Sequence, residues 1–406
     1  MLTKTASILE KITEWSVYAF VLFYTVSKAM IEISFTVALI SWLLAKIIKK
    51  EPLRLHWNWM LGALVLFVAL SVGSAFVSQY PAQSIRGIGK HLEEVLFLVI
   101  IADTFQCREK LKRLLGFGFA VLLVTALDAV FQLATGRDFL RNHAMSYVDT
   151  HARLQGPFSD HTVFASYLIG WLSILLAFFF HRDYRSVKTK VLAVLLLIMG
   201  AFSLFHTQAR GAWLSFALAI LFFSIIKRSR LLVGFLLAAV TAGYFVLPWN
   251  MIVHPDAEGK EQSIVERKVL WERAVDVILA RPWLGTGINT YARAHQQFDR
   301  EKSWRVQNYY AHNSFLQLAA DRGLPALLFF LVFMVLFLKR CFSVVRARSD
   351  PEQEALIAGV MTGIIGLLIL AQVDTVFEPL QTGMFLWFLF GLGIAAMQVD
   401  AQRKEN

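Results

Sequence analysis

Residues 61–77, LGALVLFVALSVGSAFV, carry no charge, and residues 191–205, VLAVLLLIMGAFSLF, show the same pattern far along the chain. With Trp59 and Met60 before it, the first run reaches the length of about 20 apolar residues that a bilayer-crossing helix needs, and the second is a 15-residue run of the same kind between Lys190 and His206. Searching outward for similar runs between basic clusters gives about twelve. They lie near 15–25, 33–47, 58–77, 88–105, 114–134, 162–180, 191–206, 212–226, 231–249, 324–338, 355–373 and 383–399. Composition agrees: of 406 residues 57% are hydrophobic, with 34 Phe and 11 Trp, and only 17% are charged. A soluble chain carries about 25% charged residues. A soluble globule, a disordered chain and a secreted disulfide scaffold are therefore excluded, and the expectation is an all-α integral membrane protein with about 12 transmembrane helices.

The formal charge of +11 must then be read by location. Cytoplasmic loops accumulate Lys and Arg. One alternating set of loops holds Lys46, Lys49, Lys50 and Arg54; Arg108, Lys110, Lys112 and Arg113; Arg182, Arg185, Lys188 and Lys190; Lys227, Arg228 and Arg230; and Lys339, Arg340, Arg346 and Arg348. These loops and both termini are assigned to the cytoplasm, which the even span count requires. The N-terminal apolar run passes straight into a second one with no small-residue cleavage site, so a retained first helix is expected. Cys107 and Cys341 fall on the reducing side, so no disulfide is expected.

Two outer connections are long: 135–161 and 250–323. The chain is thus divided into spans one to nine over 1–249, a large outer loop over 250–323, and spans ten to twelve with the C-terminus over 324–406. Within the large loop, 263–280 reads as an amphipathic helix and 291–301 as a second. Ser314-Phe315-Leu316-Gln317 has capping-box spacing and opens a third, stopping at Gly323 and Pro325.

Arg86, Lys90, Arg153, Arg210 and Arg267 map to the outer side, where Lys and Arg are disfavoured. Arg210, in a short turn between two apolar helices, either snorkels to headgroups or faces a polar cavity. Arg267 falls on the apolar stripe Ile264, Arg267, Trp271, Ala274, Ile278, while Lys268 and Glu272 pair on another face. An Arg so placed has a carboxylate partner or an anionic ligand. His312 precedes a helix N-terminus, which disfavours the imidazolium and suits a neutral ring able to take a proton. Gly285-Thr286-Gly287 lacks the third glycine and the preceding strand of a dinucleotide site and reads as a turn. His143, Asp149, His151, Asp160 and His161, and separately His254, Asp256 and Glu258, lack helix-face ligand spacing, so neither a metal nor another cofactor is expected. Glu93, Glu94 and Asp128 lie inside spans as candidate proton carriers or counter-charges. Trp271, Trp283, Trp304, Tyr309 and Tyr310 suit an interfacial belt or sugar stacking.

Ala209-Arg210-Gly211-Ala212, then Glu266-Arg267 with Trp271, then Pro282-Trp283-Leu284-Gly285-Thr286-Gly287, then His312-Asn313-Ser314-Phe315-Leu316 with Asp321-Arg322-Gly323, resemble the bacterial O-antigen ligase and polymerase superfamily in order and spacing. Arg153-Leu154-Gln155-Gly156-Pro157-Phe158 resembles an element further upstream. The resemblance implies a metal-independent inner-membrane glycosyltransferase of the GT-C type, active on the periplasmic face in lipopolysaccharide biosynthesis. Its donor would be a polysaccharide on undecaprenyl pyrophosphate, and its acceptor the lipid A core oligosaccharide. Having one large outer loop rather than two favours a ligase over a polymerase or a protein O-oligosaccharyltransferase. His312 would be the general base, with Arg210 and Arg267 clamping the pyrophosphate in an inverting displacement. Arg153, Arg86, Lys90, Asn313 and Tyr309 would be further contacts to substrate or pyrophosphate. A transporter of polyprenyl-linked sugars is the alternative of another class, but related halves and interrupted helices are missing from the sequence.

Overall fold

The computed structural model describes residues 2–53, 58–148, 151–180, 186–229, 232–234, 260–298, 310–347 and 350–405. Long helices dominate: α1 (Leu2–Phe23), α2 (Lys28–Lys49), α3 (Trp59–Ala75), α4 (Pro81–Thr104), α5 (Arg108–Thr135), α6 (His161–Phe179), α7 (Val187–His206) and α8 (Arg210–Lys227). After these come α9 (Lys260–Ala280), the short α10 (Tyr291–Ala294) with a 3₁₀ turn at His295–Phe298, α11 (Ser314–Arg322), α12 (Leu324–Ala347), α13 (Pro351–Leu370) and α14 (Leu380–Glu405). By length and composition, 8 of them suffice to cross a membrane, α3 being an apolar helix slightly shorter than these. The chain is an all-α integral membrane protein. The expected span at 231–249 falls almost wholly outside the described residues.

Sequence signals set the helix ends. Ser27, Asn58, Asp160 and Asp350 each cap a helix through a side-chain oxygen that accepts one or more amides of the first turn. Pro81 and Pro351 stand in the first turn, where a missing N–H costs nothing. Within the connection 135–161, Ser146–Val148 and His151–Arg153 form an antiparallel hairpin, with Ser146 opposite Arg153. Two local expectations need correction. The second loop helix is only α10 before it tightens to 3₁₀. The cap of α11 is Asn313 rather than Ser314, because the Asn313 carboxamide accepts from Phe315 and Leu316 while the Ser314 hydroxyl is engaged elsewhere.

The bundle core is α6 against α13 and α4 against α14, with α3 against α12 beside them. At Gly359 the α13 backbone runs so close to α6 that a Cβ would stand 2.6 Å from the Ile174 Cα, an approach only a small residue permits. Tyr24 and Gln381 exchange hydrogen bonds of 2.9 Å with each other's backbone, fastening the C-terminal end of α1 to the start of α14. At one end of the bundle the basic clusters are partnered: Arg108 and Lys112 reach Glu352, Lys227 reaches Glu354, and Lys46 reaches the buried Asp103 at 2.8 Å.

Candidate active site

The connection 371–379, between α13 and α14, is the hub of the opposite end of the bundle. Ser314, the first residue of α11, donates its amide to the Ala371 carbonyl at 2.8 Å, and its hydroxyl accepts the amides of Val376 (2.8 Å) and Phe377 (3.3 Å). This pins the loop against the N-terminus of α11. Two residues earlier, His312 holds φ 47°, a left-handed conformation that costs a non-glycine residue energy and is concentrated at functional sites. Its Nδ1 lies 3.3 Å from Asp374 Oδ1, and both side chains are partly exposed.

Asp374 also accepts the Thr375 amide at 2.8 Å. Burial works against its charge, yet the bond from His312, the Thr375 amide and the charges of His312 and Arg267 prevail and hold the carboxyl below its ordinary range. Arg267, half-buried on α9, is therefore near enough to act on Asp374. Arg210 opens α8 and is exposed; its neighbour Gly211 packs against Val373, the residue before Asp374. Arg153 ends the hairpin with Nη1 3.4 Å from His161 Nε2, and His161 in turn lies within electrostatic range of Asp374. The Leu154 amide bonds the His206 carbonyl at 2.9 Å, tying the hairpin to the end of α7.

His312 thus pairs with Asp374 of this loop, Arg267 acts on the same carboxylate at longer range, Arg153 bonds His161, and Gly211, next to Arg210, lies against Val373. Asn313 adjoins His312, its side-chain oxygen committed to the cap. Arg86 and Lys90 stand apart on the exposed face of α4, whereas Gly87, His91 and Glu94 point inward. Tyr309 and Trp304, with Asp149, His254, Asp256 and Glu258, lie outside the described residues, as does the side chain of His151. Among the described residues no group of three or more His, Cys, Asp or Glu side chains is placed to hold a metal ion. Asp128 has a local use, accepting the amides of Phe139 and Leu140. Sequence reasoning missed Asp374 and Glu378. The available signal was a pair of carboxylates in a short connection on the same outer side as the exceptional arginines.

The remaining motif residues build the frame. Thr286 and Gly287 donate to the carbonyls of Ala320 and Asp321 at 3.0 and 2.9 Å, and Leu324 donates to Pro282 at 2.7 Å. The two strips lie backbone to backbone: a Cβ on Gly323, at φ 86°, would fall 2.1 Å from the Trp283 oxygen. Asp321 Oδ1 takes the amides of Thr290 (2.9 Å) and Tyr291 (2.6 Å), and burial raises its carboxyl to about 6. Below the loop, burial and the neighbouring Asp321 raise Glu378 to about 8, against the pull of Arg322. Arg322 is itself enclosed, 3.4 Å from Ser71 Oγ, 3.5 Å from His91 Nδ1 and over the Phe67 ring.

No match was found among curated proteins. Among solved structures, a chain from "Structural coordination of polymerization and crosslinking by a peptidoglycan synthase complex" is similar at 18% identity and a TM-score of 0.46, covering 87% of this chain and 100% of that one. Residues 192–331 match the O-antigen ligase family, a segment that begins within α7 and runs through Arg210, α9 and α11 into α12. The match covers 140 of the 406 residues and makes that segment similar to the O-antigen ligase family.

Proposed function

We propose that this protein is an inverting O-antigen ligase of the GT-C type on the periplasmic face of the inner membrane. It moves a polysaccharide from undecaprenyl pyrophosphate to a hydroxyl of the lipid A core oligosaccharide. The observation that carries the reading is the His312–Asp374 pair, with Arg267 acting on the same carboxylate at longer range. With Nδ1–H donated to Asp374, His312 presents Nε2 as an acceptor for the proton of the attacking hydroxyl. Asp374 fixes that tautomer and stabilises the imidazolium as it forms. Arg210 and Arg267 bind the pyrophosphate oxygens and stabilise the negative charge that grows as the bond to the anomeric carbon breaks. Arg153, held by His161, supports the same charge from the hairpin. Displacement in one step inverts the anomeric centre.

The test is reconstitution of purified protein with an undecaprenyl-pyrophosphate-linked glycan and three acceptors offered separately: lipid A core, a second lipid-linked glycan, and a pilin-like protein. Transfer to lipid A core alone is expected. Exclusive transfer to either other acceptor overturns the ligase reading in favour of a polymerase or a protein transferase. Binding of the donor without transfer to any acceptor overturns the enzyme reading.

A further inference from the structure

The layer formed by α9 and α11 is tied to the membrane boundary at both ends. At one end Pro282, just past α9, accepts the amide of Leu324, the first residue of α12. At the other, α9 packs along α11, whose first residue, Ser314, donates its amide to Ala371, just past Leu370, the last residue of α13. Both tie points are ends of membrane-crossing helices, yet Trp271, which lines one pocket with Leu316 of α11, and Ala280 stand about 14 Å apart along α9 at ~1.5 Å per residue. A helix fixed at membrane level at two points so far apart runs along the surface instead of rising from it. The same holds for α11, which bonds Ala371 through Ser314 and passes through Gly323 directly into α12.

The apolar surface of this layer fits that orientation. Leu279 and Trp283, at the Pro282 end, are 73% and 75% exposed. They continue the outward apolar surface of the spans: Phe76 just past the end of α3 is 87% exposed, and Leu324 and Leu328 on α12 are 46% and 56%. Leu284, next to Trp283, reaches Gly73 on α3, so the turn abuts the span whose end Phe76 extends. Farther back on α9 the exposed side changes character, with Lys268 and Glu272 paired at 3.9 Å.

We infer that the C-terminal end of α9 and the turn after it, with Leu279 and Trp283 as the buried anchors, are embedded in the headgroup–acyl boundary of the outer leaflet. The partner is the lipid surface itself. Aromatic rings with a polar edge settle at that depth, and an apolar patch continuous with lipid-facing spans has lipid as its neighbour. Arg281, beside the patch, is long enough to hold its guanidinium among the phosphates while its stem lies along the apolar surface. The anchor sets the height of α9, and with it the height at which Arg267 meets anything delivered from the outer leaflet.

The test needs no knowledge of the activity. Purified full-length protein in lipid nanodiscs is subjected to hydroxyl-radical footprinting, with Tyr147 of the hairpin, 62% exposed, as the water-facing reference. Trp283 is expected to be shielded by at least about fivefold relative to its exposure-matched rate, as an anchor inside the interface would be. In parallel, nitroxides are attached at Trp283→Cys and Glu272→Cys in a Cys107→Ser background. The label at 283 should favour oxygen over a water-soluble nickel complex, and the label at 272 the reverse. Equal access of the nickel complex to both labels, or oxidation of native Trp283 at the water-facing rate, overturns the inference. The second result is also what a surface reserved for a protein partner would give.

Discussion

Replacing Asp374 with Asn changes one charge while keeping the shape of the side chain, and it tests whether His312 is an oriented base. In the native pair the carboxylate accepts from Nδ1 at 3.3 Å, and the same Oδ1 accepts the Thr375 amide at 2.8 Å. The Asn oxygen can keep the Thr375 bond, so the loop should hold. What is lost is the charge that stabilises the imidazolium. A hydrogen bond to a charged group is worth about 1.5–3 kcal/mol, and this one is long and partly exposed, so about 2 kcal/mol, or ~30-fold in rate, is the share expected. Asn can also turn its amide toward Nδ1, leaving the proton on Nε2 and the ring in the wrong tautomer. In the serine-protease triad the corresponding error costs about 10⁴-fold. Between these bounds, Asp374→Asn should reduce transfer by about 10²-fold.

The assay is single-turnover transfer from a lipid-linked glycan in nanodiscs, with variant and native protein matched for inserted amount and thermal stability. The loss should appear in the rate of transfer and leave donor binding within about threefold, because Asp374 acts through His312 and not on the pyrophosphate. Transfer by Asp374→Asn within about threefold of native would refute the pairing as a catalytic device. Equal losses in rate and donor binding would show that the carboxylate serves the loop alone.

His312→Ala should lower transfer by about 10³-fold while the protein still inserts, and substantial residual activity would remove His312 as base. Arg267→Lys keeps the charge but not the planar fork, so donor turnover should fall by about 10- to 10²-fold; an unimpaired Lys variant argues against a pyrophosphate clamp. Gly323→Ala places a Cβ 2.1 Å from the Trp283 oxygen at φ 86°, costing about 3 kcal/mol or more, read as a lower melting temperature and poor yield. Glu378, raised to about 8 from an ordinary 4.5, and Asp321, raised to about 6 from 3.8, bind protons more tightly folded than unfolded. Their contribution is therefore full below the ordinary values and lost as pH rises toward 6 for Asp321 and 8 for Glu378. Melting temperature should decline across that window, and Glu378→Gln should reduce the slope from about pH 4.5 upward and remove it above about pH 6, where Asp321 no longer contributes. An unchanged profile in the variant counts against a protonated Glu378.

The spans were legible because lipid leaves a one-dimensional signal. A run such as 191–205 has few other uses, and α7 duly covers it. The first and third helices of the large loop were legible to within a turn, since capping groups and Gly–Pro stops act over a few residues, whereas the second ends at Ala294 and tightens to 3₁₀. Asn313 took the cap because Ser314, next to it, has a long-range task that spacing does not reveal: receiving two amides from residues beyond α13. Asp374 escaped for the same reason. It is distant in sequence from His312, and only the packing of α11 against the end of α13 brings them together. The cations were visible as exceptions to a charge rule, whereas their carboxylate partner broke no rule at all.

The ordered motifs also divide by task in a way the sequence alone does not show. His312 is held at the 371–379 loop by Asp374, but Pro282–Gly287 and Asp321–Gly323 meet through backbone and through glycine positions where no Cβ fits. The second group therefore fixes the distance between α9 and α11, and Asp321 extends that hold to α10. Because Arg267 rides on α9 and His312 sits at the mouth of α11, the spacing between clamp and base is a property of this backbone seam. A substitution at Gly323 should then separate the two functions, weakening the frame while leaving every charged side chain in place. Loss of transfer in such a variant at a temperature where α9 remains folded would trace the geometry of the reaction to a contact that touches no substrate.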